Sequence, residues 1–279
     1  MKFGFVTCVQ LGLVCIKKIY QIGGELDLLI TLHDHKHKKK SGRIYLDNFS
    51  RKHNICLLKV NHINDIEVIR SVNEHELDWL FIIGWSQIAS REVISAPKMG
   101  CIGIHPSLLP EGRGRAAIPW AIIKDLKKTG VSMFKLDETV DTGEIFGQKI
   151  VPIRLGETAT TLYKKINSAH GWLIGNIFPK LISDTAKTIK QDESKATYWD
   201  ERTPDDGKLN EQMTIEQVDR LVRASTHPYP GAFLEKENEK IVIWSGQILC
   251  NGKVIPKNGF VLQFSNGQYL VTSYQKVKS

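Results

Sequence analysis

No stretch of this chain holds the roughly 18 consecutive apolar residues that a bilayer-spanning helix needs, so the sequence predicts no membrane span. The opening, Met1-Lys2 followed by a mostly apolar run to Ile16, has the outline of a signal peptide. Gln10 interrupts that run, Lys17-Lys18 close it, and no Ala-x-Ala site follows; a first strand leading into a first helix is the better reading. Cysteine is scarce. The five (Cys8, Cys15, Cys56, Cys101 and Cys250) are odd in number and lack CxxC or metal-like spacing. Most sit in apolar runs, where cysteine acts as a small hydrophobe, and the pattern points to a reducing compartment, the cytoplasm. Nucleotide fingerprints are missing too. The stretch after the first strand, TCVQLGLVC (Thr7 to Cys15), has one glycine and no GxGxxG, and no Walker A sequence occurs, which argues against a dinucleotide enzyme or a P-loop NTPase. There are no repeats and no low-complexity segments.

What is present suits an ordinary globular protein. A chain of 279 residues buries about three quarters of its unfolded surface and folds without disulfides or structural metal. Its formal charge of +8 favours anionic partners such as phosphates, nucleotides or nucleic acid. Short apolar runs at Phe3–Thr7, Leu26–Leu32, Ile55–Val60, Trp79–Ile83 and Cys101–His105 read as strands, with helix-like segments such as Ile63–Asn73 between them. That alternation predicts an α/β fold with a mostly parallel sheet covered on both faces, in which ligands bind beyond the carboxyl ends of the strands. Lys128–Leu136 and Phe146–Ile153 read as further strands. Thr158–Ile182 reads as a long helix with one apolar stripe (Leu162, Ile166, Ala169, Leu173, Ile177, Leu181) that Pro179 should kink or end. The main domain is expected over residues 1–191. Residues 192–210, polar and carrying Pro204-Asp205-Asp206-Gly207, read as a linker. Residues 211–279 read as a small antiparallel barrel-like domain, opened by a helix with a Thr214/Gln217 capping box.

Two segments carry candidate chemistry. In GCIGIHPSLLPEGRG (Gly100 to Gly114) a buried strand ends at His105, where an α/β sheet presents its ligands. Histidine is the side chain best suited to proton transfer near neutral pH; the alternative is a histidine that simply packs at a strand end. In DETVDTGEI (Asp137 to Ile145) four carboxylates sit on a turn between two strands. One of them orients His105 or takes a proton, or the segment is a solvated acidic hairpin. The basic run HDHKHKKKSGR (His33 to Arg43) is either a phosphate-binding loop, through Lys38 and Lys39, or a solvated one. Its alternating histidines have no carboxylate scaffold for a metal. Arg113 and Arg115 are candidates for a substrate phosphate.

Read together, the HPSLLP segment (His105 to Pro110), Arg113-Gly114 and the DxxxDTG pattern from Asp137 to Gly143 resemble the folate-dependent formyltransferases. The resemblance extends over nearly the whole chain, and RTPDDGKLN (Arg202 to Asn210) and HPYPGAF (His227 to Phe233) look like the C-terminal domain of the branch that modifies nucleotide sugars. It implies a Rossmann-like catalytic domain with a small OB-like appendage, 10-formyltetrahydrofolate as formyl donor, no metal, and His105 and Asp141 in the catalytic positions. It further implies a pterin slot along Ile83, Gly84, Trp85, Ser86, Gln87 and Ile88 and around Asp137 and Asp141, where backbone groups read the ring. The expected acceptor is a nucleotide-linked amino sugar for surface polysaccharide such as lipopolysaccharide O-antigen, for example a dTDP-amino-dideoxyhexose. The expected state is a homodimer. Methionyl-tRNA formyltransferase is the alternative, with Lys38–Lys40 on the tRNA. A non-catalytic binding protein for folate or a nucleotide sugar is a second, because the chain departs from the family at one place. The family usually carries asparagine two residues before the histidine, on the same strand face; here that residue is Gly103. Ser132, Ser86, Gln87 or a water are the candidate replacements for the missing donor, and Gly103→Asn separates a crippled site from a rebuilt one.

Overall fold

The computed structural model describes residues 1–35, 42–236, 239–249 and 258–278. The chain runs β1 (Phe3–Val6), α1 (Gln10–Gln21), β2 (Leu28–Leu32), α2 (Asp47–His53), β3 (Cys56–Val60), α3 (Ile66–Glu74), β4 (Trp79–Ile82), α4 (Arg91–Ser95) and β5 (Gly100–His105). It continues with β6 (Arg113–Gly114), α5 (Ala117–Ile123), β7 (Lys128–Lys135), β8 (Ile145–Pro152), α6 (Ala159–Ile182) and β9 (Tyr198–Trp199). Last come α7 (Ile215–Ser225), β10 (Ala232–Lys236), β11 (Glu239–Ile248), β12 (Phe260–Phe264) and β13 (Gly267–Lys278). Among the described residues no helix is long and apolar enough to cross a membrane.

Seven strands make one sheet in the order β3-β2-β1-β4-β5-β7-β8. The first five pair in parallel. β1, β2 and β5 are buried along their whole length, as a sheet covered on both faces requires. On one face Val68 and Val72 of α3 and Val93 of α4 join Val6, Ile30, Leu80 and Cys101 in a core cluster. On the other, Phe3 meets Phe178 of α6 with ring centres 4.7 Å apart. The chain winds outward from β1 to β3, then crosses to the opposite side of β1 for β4 and β5. This reversal makes the switch point at which open α/β sheets hold ligands. β7 runs antiparallel to β5, with His105 opposite Ser132 and Gly103 opposite Phe134.

The chain groups into two compact units that do not follow one another along the sequence. One comprises Met1–Arg113, Gly130–Val151 and Ile166–Tyr198; the other comprises Gly114–Thr129, Pro152–Lys165 and Trp199–Ser279. The expectation of two continuous domains with a linker at 192–210 rests on composition; in the structure, segments from the middle of the chain group with the second unit. In that unit a four-stranded antiparallel sheet, ordered β10-β11-β13-β12, has no pairing between its first and last strands among the described residues. Helix α7 starts on the Thr214/Gln217 capping box and packs Val218, Leu221 and Val222 with Ile243, Tyr269 and Val271.

Every residue of the apolar stripe on α6 is buried. Pro179 lies inside the helix, which continues to Ile182: so near the end, the missing N–H forfeits a bond only in the last turn. One face of α6 also carries a fully buried polar group, His170. Its Nδ1–H donates to the Ile166 carbonyl at 2.8 Å, its Nε2 meets no partner among the described residues, and burial pushes its pKa down from 6.5 to about 4. Between those values the unfolded chain binds a proton that the native chain refuses, so stability falls as pH falls, by at most about 1.4 kcal/mol per pH unit. The expected outcome is that His170→Phe flattens this acid limb. Thermal midpoints at pH 7 and pH 5 should differ less in the variant than in the parent; an unchanged difference would refute the assignment.

Candidate active site

His105 closes β5 and is 8% exposed. Its Nε2 lies 2.8 Å from the carbonyl oxygen of Gly112. A carbonyl only accepts, so Nε2 carries hydrogen, which leaves Nδ1 as the acceptor nitrogen of the neutral ring. That atom lies 3.5 Å from Oδ2 of Asp141, with both side chains largely withdrawn from solvent. The loop between His105 and Gly112 is bolted to β7 by Ser132, whose hydroxyl donates to the Ser107 carbonyl at 2.7 Å. The same oxygen accepts from the Leu109 N–H at 3.0 Å and from the Gln148 amide at 2.7 Å.

Asp141 arrives from the far side of β7. Leu136 N–H donates to the Cys101 carbonyl, four residues back along β5 from His105, and the turn that follows carries Asp141 up to the histidine. The turn is tight. A Cβ on Gly143 would lie 1.7 Å from the Lys135 carbonyl oxygen, and Asp141 itself has φ 59°, a conformation that aspartate tolerates better than most residues. Asp137 closes the turn from inside, its Oδ1 accepting from the Thr139 N–H at 3.1 Å and the Thr142 hydroxyl at 2.7 Å. The structure thus brings His105 and Asp141 together, which sequence spacing alone left open.

The formyl transferase family matches over residues 14–177, and the formyl transferase C-terminal domain over residues 202–277. The chain belongs to the formyl transferase family. It is 27% identical over 267 residues to the bifunctional polymyxin resistance protein ArnA of Wigglesworthia glossinidia brevipalpis, a match covering 94% of this chain and 39% of ArnA. The chain therefore spans about two fifths of that relative's length. Among solved structures it is similar to WlaRD, a sugar 3N-formyl transferase crystallised in the presence of dTDP and 5-N-formyl-THF (TM-score 0.72, 18% identity, 100% of this chain and 98% of WlaRD). It is also similar to an N-formyltransferase from Helicobacter canadensis in complex with folinic acid and dTDP-3-aminofucose (TM-score 0.75, 17% identity, 99% of this chain and 100% of the other). At these identities the structural likeness carries the fold.

The remaining expected site residues divide sharply. Ile82 pairs with Gly103, so the segment Ile83–Ile88 leaves the sheet beside the end of β5. Ile83 is buried and Ile88 exposed. A Cβ on Gly84, at φ 67°, would lie 2.4 Å from Cγ2 of Val9. Trp85 donates its indole N–H to Gln87 Oε1 at 3.1 Å; that oxygen also accepts from the Ile63 N–H at 2.9 Å, and the Gln87 amide donates to the Asn61 carbonyl at 3.1 Å. Ser132 spends its one hydrogen on the Ser107 carbonyl, which corrects its candidacy as a replacement donor; Gln87 gives one amide hydrogen to Asn61. Arg113 is corrected too. It is fully buried, its guanidinium is taken up by Glu193 and Gln191, and its charge is held by the Glu193 hydrogen bond; no face of it is left for a substrate phosphate. Arg115 pairs with Glu201 at 2.5 Å. Lys38 and Lys39 lie outside the described residues, as does most of the basic run. Arg43, at its end, turns inward onto Thr31 and the Cys8 and Leu32 carbonyls.

At Gly103 the structure shows what occupies the space of the absent carboxamide. A Cβ there would lie 2.7 Å from Cδ2 of Leu136 and 3.2 Å from two ring atoms of Phe134. The gap left by glycine is filled with hydrocarbon. Gly103→Asn alone is therefore expected to lower stability by about 1–3 kcal/mol through overpacking, read as a drop in denaturation midpoint, and not to raise turnover. Pairing it with Leu136→Ala should recover much of that loss. A single variant as stable as the parent would show that Leu136 yields freely.

Proposed function

We propose that this chain transfers a formyl group from 10-formyltetrahydrofolate to the amine of a nucleotide-linked amino sugar destined for surface polysaccharide. The observation that carries the reading is the buried His105–Asp141 pair at the carboxyl end of β5. Acyl transfer between two nitrogens needs a proton taken from the attacking amine and one delivered to the departing nitrogen. His105, backed by the Gly112 carbonyl on Nε2, takes the amine proton at Nδ1. The Gly112 carbonyl holds the ring in that orientation; once Nδ1 has taken the proton, Asp141 accepts from it, stabilises the charge the ring gains, and helps return the proton to the leaving nitrogen.

The donor would supply the formyl group already activated on nitrogen. The segment Ile83–Ile88 fits a flat ring read by main chain. Trp85 and Gln87 spend their polar atoms on each other and on neighbouring loops, and Gly84 leaves no room for a side chain. The sugar acceptor rests on the likeness to WlaRD and the Helicobacter canadensis enzyme, and the net charge of +8 suits a nucleoside diphosphate.

The test is a turnover assay with 10-formyltetrahydrofolate and a panel of nucleotide-linked amino sugars, with charged initiator tRNA in parallel. Mass spectrometry should find one added formyl group on a sugar, and His105→Ala should lower that rate by at least about 100-fold. Formylation of the tRNA alone would replace the sugar with the alternative acceptor. Folate binding without product from any amine would support a binding protein with a degenerate site.

A further inference from the structure

The polar stretch after α6 touches both members of the His105–Asp141 pair through intermediaries. At one end, the Gln191 amide donates to the Asp141 carbonyl at 2.8 Å and the Gly143 carbonyl at 2.7 Å, two main-chain oxygens of the tight turn. Its Oε1 accepts from Arg113 Nε at 3.2 Å and from the terminal guanidinium nitrogen at 2.8 Å, which fixes the amide's orientation: oxygen to the guanidinium, NH2 to the turn. At the other end, the Thr197 hydroxyl accepts from the Gly112 N–H at 2.8 Å, and the Gly112 carbonyl is the group that meets His105 Nε2. Main-chain bonds from Arg113 N–H to the Thr197 carbonyl and from Thr197 N–H to the Pro110 carbonyl keep the stretch in register.

We propose that Gln191–Thr197 is a strap that sets the spacing of the His105–Asp141 pair, with Gln191 as its principal positioning residue and Arg113 as the group that orients Gln191. The proposal rests on the reading of that pair as catalytic. Gln191 itself reaches no reacting atom. It acts by holding the backbone from which the Asp141 carboxylate projects. The alternative is a half-buried amide that merely fills space and partners Arg113. The two differ in what Gln191→Glu does. A carboxylate there would pair with Arg113 at least as well, so a space-filling role predicts a mild effect. A strap role predicts damage, because a carboxylate has no hydrogen to give and would face two carbonyl oxygens.

The experiment uses the full chain. The 15N shift of the His105 ring nitrogens is compared in the parent, Asp141→Asn, Gln191→Ala and Gln191→Glu, alongside formyl transfer. The expected result is that Gln191→Glu moves the His105 signals at least halfway to those of Asp141→Asn and lowers kcat on the order of 10- to 100-fold, as small misplacement of a catalytic group does. KM for the folate should change less than about threefold, and Gln191→Ala should be milder. Activity of Gln191→Glu relative to the parent should rise as pH is lowered, since a protonated carboxyl regains a donor. Thr197→Val, which keeps shape and removes the oxygen, should disturb the Nε2 signal first. His105 shifts unchanged in both Gln191 variants, with Asp141→Asn shifted, would overturn the strap. The NMR readout needs no turnover, so a parent that forms no product would count against the catalytic reading and leave the strap to be decided by the shifts.

Discussion

A carboxylate on a turn can partner a histidine on a strand only if the turn is held, and here the holding begins with an atom that is missing. Any side chain on Gly143 would drive its Cβ into the Lys135 carbonyl, 1.7 Å away. Without that close approach the chain could not reverse so sharply after β7, and Asp141 could not return to the end of β5. The other features of the turn follow from it. Asp141 takes a left-handed conformation that short polar residues accept at modest cost. Asp137 satisfies the hydroxyl and amide groups inside the turn, and Glu144 returns a carbonyl to Lys135. Within the motif, Gly143 makes the turn and Asp137 seals it, leaving Asp141 as the carboxylate that faces His105.

The sequence was most informative where physics is local. The runs at β1, β2 and β5 are apolar without alternation because both faces of the sheet are covered, and their ends were readable to within a residue or two. The stripe on α6 and the capping box of α7 were readable for the same reason, since each is a property of a single element. The antiparallel direction of β7 was not readable, because a strand's run of side chains is the same in either direction. Nor was the grouping of Gly114–Thr129 and Pro152–Lys165 with the C-terminal residues, which depends on contacts far apart in sequence.

At the site the same divide holds. His105 stood out because a buried strand ends on it, but the meeting of His105 with Asp141 required the fold. Arg113 was misjudged for an instructive reason. An arginine flanked by glycines in a loop resembles an exposed anion binder, and only the segment about eighty residues later, which supplies Gln191 and Glu193, shows it to be buried. Composition marked that segment as a linker because it is rich in polar residues. Two of those polar residues, Gln191 and Thr197, bond main-chain groups of the site's loops, a use of polarity that a residue count does not distinguish from solvation.

The hydrocarbon beside His105 bears on how the charge of the reaction is met. A lost oxyanion donor typically costs about 3–4 kcal/mol in the transition state, and Leu136 and Phe134 at Gly103 provide no hydrogen to replace one. On the proposed reading, what is left to meet the charge is the attraction gained by a protonated ring whose Nδ1 lies 3.5 Å from Asp141 Oδ2. That gain depends on distance and on exclusion of water. An apolar wall next to the ring favours the second, and the clamp on the Asp141 turn favours the first. On the proposed reading, glycine at position 103 therefore places a greater share of catalysis on the geometry of one ion pair, and on whatever keeps its carboxylate in place.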